Sequence, residues 1–271
     1  MPAIITALCC LQALVLEQRS DKGVFLAAQA AAPLFDPSVR RTQLPLRAIA
    51  AHALLFAGSL LFAAWASRID RYHGSAAMNA LIKSLSPLLS AWLSGQRSSR
   101  HWLAAIGSFA GIAVATDFYI DGTRQGTLAP LAAYGCLLVG TVLGVLHGFV
   151  QQAYGDCPLE MAVGAALICA STALWDAPPA LSAELVLGVP LYGALSLYVS
   201  RSVREYAKSI NYDPFAFSLM LNERRAVTIA LGCLQSQTPM RLLAGAALAL
   251  AAIQLVPKKE RLTKRVEKIA E

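Results

Sequence analysis

The stretch "AFSLMLNERRAVTIALGCL" runs from Ala216 to Leu234. Apolar residues fill both of its ends, while Asn222, Glu223, Arg224 and Arg225 occupy the middle. Each central Lys, Arg or Asp costs about 2.5 to 3.5 kcal/mol on insertion into hydrocarbon. Taking Glu as similar, the segment carries a penalty of roughly 7 to 10 kcal/mol. Its Leu, Ile, Phe and Val residues offer only about 0.3 to 0.6 kcal/mol each. The segment is long enough to cross a membrane, so its charges must face a wet cavity, a partner or a ligand.

Composition agrees with a membrane setting. Of 271 residues, 56% are hydrophobic and 14% charged, whereas soluble domains are about 25% charged. Mean hydropathy is +0.53. No long polar stretch precedes the tail after Val256, which leaves no room for a large soluble domain. The six cysteines form no CxxC pair and the four histidines are scattered, so the clustered spacing that zinc requires is absent. Neither GxSxG nor HExxH occurs. No enzyme activity, cofactor or metal is expected.

Ten apolar segments are expected to span the bilayer. They are Ala3–Leu16, Val24–Phe35, Leu46–Ala66, Ala76–Ser94, Trp102–Ile120, Leu128–Val150, Leu159–Trp175, Glu184–Ser200, Pro214–Leu234 and Met240–Val256. The first lacks a basic leader and a cleavage site, and is read as retained. Residues 1–256 then form one all-α, polytopic transmembrane domain, with repeats about 1–120 and 128–256. With the N-terminus cytosolic, fourteen basic residues fall on the cytosolic side and six opposite, so both termini are expected there. Residues 257–271 form a basic cytosolic tail, "PKKERLTKRVEK" at its core. It reads as a topology anchor, with attraction to anionic lipid the next role. Nucleic-acid binding is not expected of so short a stretch beside a membrane.

Two segments about 140 residues apart resemble each other. They are "LIKSLSPLLSAWLSGQRSSRHWLAAIGSFAGIAVAT" from Leu81 and "NERRAVTIALGCLQSQTPMRLLAGAALALAAIQLV" from Asn222. Each places a basic residue inside a span, then an apolar run, then a polar turn with Gln96 or Gln237. A basic residue, Arg100 or Arg241, next opens a helix rich in small residues. Copies five spans apart lie in opposite orientations, the inverted-repeat plan of many secondary transporters. Gly107 and Gly111, or Ala244 and Gly245, suit close helix packing. Chance likeness between two apolar helix pairs is the competing reading.

Lys83 lies near the middle of span four, and Arg224 and Arg225 near the middle of span nine. Against Glu223 these groups leave a formal +2. Surplus positive charge in a low dielectric suits an anion, phosphate above all, because arginine offers it a bidentate fork. At 100° per residue, Asn222 and Arg225 share one helix face while Glu223 and Arg224 turn away. Glu223 is expected to pair with a basic neighbour, either Arg224 or a residue of another span. A local break in span nine is an alternative, as is a closed salt-bridge network with no ligand.

The segments "CCLQALVLE", "FLAAQ", "LPLRAI", "LIKSLSPLLSAWL", "GFVQQAYG" and "LNERRAVTIALGCL" follow one another in this order and spacing. Together they resemble motifs of nucleotide-sugar transporters in the drug/metabolite transporter superfamily. The resemblance is strongest to the branch carrying UDP-N-acetylglucosamine and UDP-xylose. The resemblance implies ten transmembrane helices in two inverted five-helix repeats, in a Golgi or endoplasmic reticulum membrane. It implies an antiporter exchanging a cytosolic nucleotide sugar for luminal nucleoside monophosphate, with phosphates meeting Lys83 and Arg224 or Arg225. Asn222, Ser84, Asn79, Gln29 and Tyr198 complete the expected substrate-binding set, and Tyr192 is a second stacking candidate. Span seven, "EMAVGAALICA", lacks the aromatic and amide that relatives carry there. The ending "EKIAE" lacks a dilysine retrieval signal and favours the Golgi. A homodimer within the bilayer is compatible with this reading. Two other functions stay open: carriage of another phosphorylated anion, and a non-transporting membrane scaffold whose centre Glu223 closes.

Overall fold

The computed structural model describes residues 22–36, 43–69, 75–116, 128–158, 163, 183–232 and 239–256. Every regular element among them is helical. Helix α1 (Lys22–Ala31) runs into a 3-10 turn (Ala32–Phe35), followed by α2 (Leu46–Ile69), α3 (Ser75–Lys83), α4 (Ser86–Leu93) and α5 (Ser99–Ala115). Then come α6 (Leu128–Tyr154), α7 (Ala183–Ser209), α8 (Pro214–Gly232) and α9 (Pro239–Gln254). The expected first span, most of the seventh and the basic tail lie outside the described residues. The other expected spans fall largely on described helices, with two differences: span two ends in the 3-10 turn, and span four is divided into α3 and α4.

Among the described residues, three stretches are long and apolar enough to cross a membrane: Leu46–Ala63 in α2, Ala132–Tyr154 in α6 and Val186–Ser209 in α7. Helix α8 is not among them. Its 19 residues include Glu223, Arg224 and Arg225 at the centre, which removes the apolar character a lipid-facing span needs.

Local signals set the helix ends. The Asp213 carboxylate accepts from the backbone N–H groups of Phe215 (2.9 Å) and Ala216 (3.3 Å), and Pro214 follows it at the first helical position. That is an N-cap with proline where its missing N–H does no harm. Helix α4 stops at Gly95, whose φ of 63° lets the Gln96 N–H reach back to the Ala91 carbonyl at 3.0 Å. The Trp102 indole N–H then donates to the Gln96 carbonyl at 2.9 Å, tying the turn between α4 and α5.

Lipid is as apolar as leucine, so helices in a membrane associate through close packing rather than through exclusion of water. Accordingly, alanine dominates the buried residues. Helix α2 packs along α6, α5 along α9, and α1 along α7, while α8 lies against α4, α5 and α9. Gly107, Gly111 and Ala115 of α5 meet Ala252, Ala249 and Gly245 of α9 in reverse order, an antiparallel crossing. A carbon added at Gly111 would stand 2.4 Å from the Ala249 nitrogen and 2.6 Å from the Gly245 oxygen. One added at Gly245 would stand 2.5 Å from the Gly111 oxygen. Of the two small residues expected on α9, Gly245 lies in the crossing, whereas Ala244 faces outward because its neighbouring position is rotated 100° away.

Candidate functional site

Proline dictates the geometry of the centre. In an unbroken helix the N–H of residue 87 would bond the carbonyl of residue 83. Residue 87 is proline and has no N–H. Helix α3 therefore ends at Lys83, Ser84 and Leu85 form a turn, and α4 begins at Ser86. Backbone carbonyls freed by such a break need donors elsewhere.

Helix α8 supplies those donors. Arg225 Nη1 donates to the Lys83 carbonyl at 2.8 Å, and Ser86 Oγ donates to the same oxygen. Asn222 Nδ2 donates to the Ser84 carbonyl at 3.0 Å and to Ser108 Oγ of α5 at 3.1 Å. The Asn222 carbonyl oxygen accepts from Arg225 Nη1. Asn222 is thus fully buried with its amide committed on both sides. Farther along the same interface, the Ser90 and Ser218 hydroxyls meet at 2.8 Å. The break expected as an alternative for span nine is found instead in span four, and α8 is continuous. The signal for it was Pro87, one turn beyond Lys83.

Lys83, Arg224 and Arg225 lie within electrostatic reach of one another. All three are half-buried. Neither Lys83 nor Arg225 has a carboxylate partner among the described residues. The expected ion pair of Glu223 is not formed among them either. Within α8, helix rotation accounts for this: Glu223 stands 100° from Arg224 and about 160° from Arg225. Ser84 is sealed in the turn, its hydroxyl donating to the Leu81 carbonyl. Asn79 lies one turn before Lys83 on the same face of α3, and its side-chain oxygen is buried without a hydrogen-bond partner.

The other two expected residues lie away from this network. Gln29 of α1 accepts a hydrogen bond from the Tyr192 hydroxyl of α7 at 3.0 Å. Tyr192 is buried and meets Phe25 edge-on at 5.3 Å. Tyr198 is 55% exposed on α7; six residues of helix turn it about 120° from Tyr192. Tyr192, and not Tyr198, is the inward-facing tyrosine of that pair. Tyr192→Phe should lower stability by about 1 kcal/mol, because it leaves the Gln29 acceptor unpaired. Tyr198→Phe should change it by less than about 0.5 kcal/mol. Thermal melting of the purified variants separates the two.

Sequence reading also passed over a pair of buried imidazoles. His52 of α2 and His147 of α6 approach at 3.3 Å between Nδ1 and Nε2, with ring centroids 5.3 Å apart. Their positions, 95 residues apart, carry no local signal that would have joined them.

A second polar cluster lies where α1, α6 and α7 end. Arg204 of α7 forms an ion pair with Asp36, which follows the 3-10 turn. Asp156, just beyond α6, has both carboxylate oxygens buried without hydrogen-bond partners. Burial pushes its carboxyl up from the ordinary value, opposed by the charges of Arg204 and Lys208. Burial, with Asp156 second, pushes the Tyr212 hydroxyl up to about 12.

No family model and no curated protein matches the chain. Eleven chains of solved structures do. One, described only as "Crystal structure of protein", superposes with a TM-score of 0.67 at 14% identity, over 96% of this chain and 97% of that one. The likeness is one of fold. It extends along nearly the whole of both chains.

Proposed function

We propose that the chain is a membrane carrier for a phosphorylated anion, and that the anion is a nucleotide sugar exchanged for nucleoside monophosphate by alternating access. One observation carries the reading. Lys83 and Arg225 stand together at a helix break, and neither has a carboxylate partner among the described residues. Unpaired cations at membrane depth are costly, and an arriving pyrophosphate lowers that cost. Exchange follows naturally, since an empty carrier keeps its positive charges together. The absence of a Glu223 bridge among the described residues favours this over the scaffold alternative.

Ten spans in two inverted repeats are part of the proposal. The antiparallel crossing of α5 and α9 supports them. The repeat offset that aligns Gln96 with Gln237 also carries Gly111 onto Ala252 and Ala249 onto Ser108. The contact of Gly111 with Ala249 then has its counterpart close to that of Gly107 with Ala252, as a two-fold axis in the membrane plane requires. A Golgi or endoplasmic reticulum membrane belongs to the same proposal on the family resemblance, and cytosolic termini on the distribution of basic residues.

The test is exchange by purified protein in liposomes preloaded with UMP, GMP or CMP, screened over labelled nucleotide sugars. Uptake that depends on the preload supports the reading. Uptake of sugar phosphates alone would move the assignment to another phosphorylated anion. No uptake of any of them by folded protein would overturn it.

A further inference from the structure

We propose that Arg204 is the moving part of a latch at one face of the bundle, exchanging between two carboxylates, Asp36 and Asp156, as access to the centre changes face. The latch deepens the carrier reading, since it regulates access to the site of that reading.

The geometry has three parts. Arg204 is engaged by Asp36, with only 12% of the arginine side chain and 2% of the aspartate side chain exposed. Arg204 Nη1 is nevertheless buried with no hydrogen-bond partner among the described residues. Both oxygens of Asp156 are buried without one among them as well, and Asp156 and Arg204 interact through space. A donor and an acceptor of opposite charge thus stand near each other, both unsatisfied. Each unsatisfied buried group costs about 1 to 3 kcal/mol, and more where it is charged.

Such an arrangement is unfavourable as a single fixed state and reasonable as one of two. In this conformer Arg204 ties α7 to the chain beyond α1. Transfer to Asp156 would tie α7 to the end of α6 instead. Interfaces with two discrete packings are how small local changes become movements of whole elements. Asn211 and Tyr212, which close α7, have φ of 52° and 53°, a left-handed conformation costing roughly 1 to 2 kcal/mol at each non-glycine residue. Tyr212 lies within electrostatic reach of both Asp156 and Arg204. A change of partner for Arg204 therefore acts on the turn that leads into α8, the helix bearing Arg225.

The test uses the full-length chain without native cysteines, carrying Asn79→Cys beside the centre, in sealed vesicles. The rate of reaction with a charged, membrane-impermeant thiol reagent is measured from each face in turn. Asp36→Asn should release Arg204 to Asp156, and Asp156→Asn should hold it on Asp36. The two should shift labelling from a given face by about tenfold in opposite directions. Shifts in the same direction, or none, overturn the latch. Should Asp36→Asn fail to fold, Asp156→Asn removes no hydrogen bond and stands as the second variant; labelling equal to the parent then overturns the proposal. Labelling needs no transported substrate. Opposite shifts, where the parent chain with Asn79 intact exchanges no nucleotide sugar, would keep the latch and discard the substrate.

Discussion

Gly111→Leu and Gly245→Leu should each destabilise the protein severely, and together should prevent it from reaching its folded state. The crossing of α5 and α9 is made by backbone, not by flexible side chains. A first added carbon at Gly111 already falls 2.4 Å from a backbone nitrogen, and one at Gly245 falls 2.5 Å from a backbone oxygen. Neither neighbour yields without separating the helices. Overpacking typically costs about 1 to 3 kcal/mol; with backbone on both sides, about 3 kcal/mol or more is expected here. Folded proteins have about 5 to 15 kcal/mol in hand, so a double substitution should leave no monodisperse protein. Gly135→Leu is the control, because nothing stands within 4 Å of an added carbon there. Size-exclusion profiles and melting curves in detergent read the difference. Retention of parental melting by Gly111→Leu would show that the helices do not cross this closely.

Lys83→Ala and Arg225→Ala should both abolish exchange, and differ in everything else. The Lys83 ammonium makes no hydrogen bond among the described residues, and only its backbone carbonyl holds α8. Its removal takes away an unpaired cation and should leave stability unchanged or raised. Arg225 Nη1 holds the Lys83 carbonyl, Ser86 Oγ and the Asn222 oxygen. Removing it leaves a carbonyl without its charged donor, which should lower stability by about 1 to 3 kcal/mol. Arg225→Lys should recover part of the stability but little of the exchange, since an ammonium lacks the planar fork. Melting temperatures and preload-dependent uptake, measured on the same preparations, check both halves. Equal loss of stability in the two alanine variants would show that the Lys83 side chain is itself structural.

Much of this architecture could be read along the chain because membrane helices announce themselves. Proline at 45 and Asp-Pro at 213–214 mark starts, and Gly95 marks an end, each through a backbone reason visible in the residue type. The meeting of Lys83 with Arg225 was legible for another reason: uncompensated charge in an apolar run restricts where a chain can place it. Positions that depend on rotation were read less well. Tyr198 and Tyr192 look alike in sequence, and only the packing of α7 on α1 distinguishes the exposed from the buried ring. Asn222, grouped with ligand-binding residues, proved to be sealed, because its partners are carbonyls released by a proline far away in sequence. The latch residues carried no signal at all. Asp36, Asp156 and Arg204 are ordinary polar residues at helix ends until tertiary structure brings them together.

The break at Pro87 also bears on how the chain is made. The Ser84 carbonyl receives its hydrogen bond from Asn222, 138 positions later. On the carrier proposal, α3 and α4 enter the bilayer before that donor exists. Until α8 arrives, the carbonyl keeps water or a temporary partner, because hydrocarbon offers none. The turn between α3 and α4 is then an unfinished object, completed only when α8 packs against it. Early and late parts of the chain are coupled in assembly through one side-chain amide.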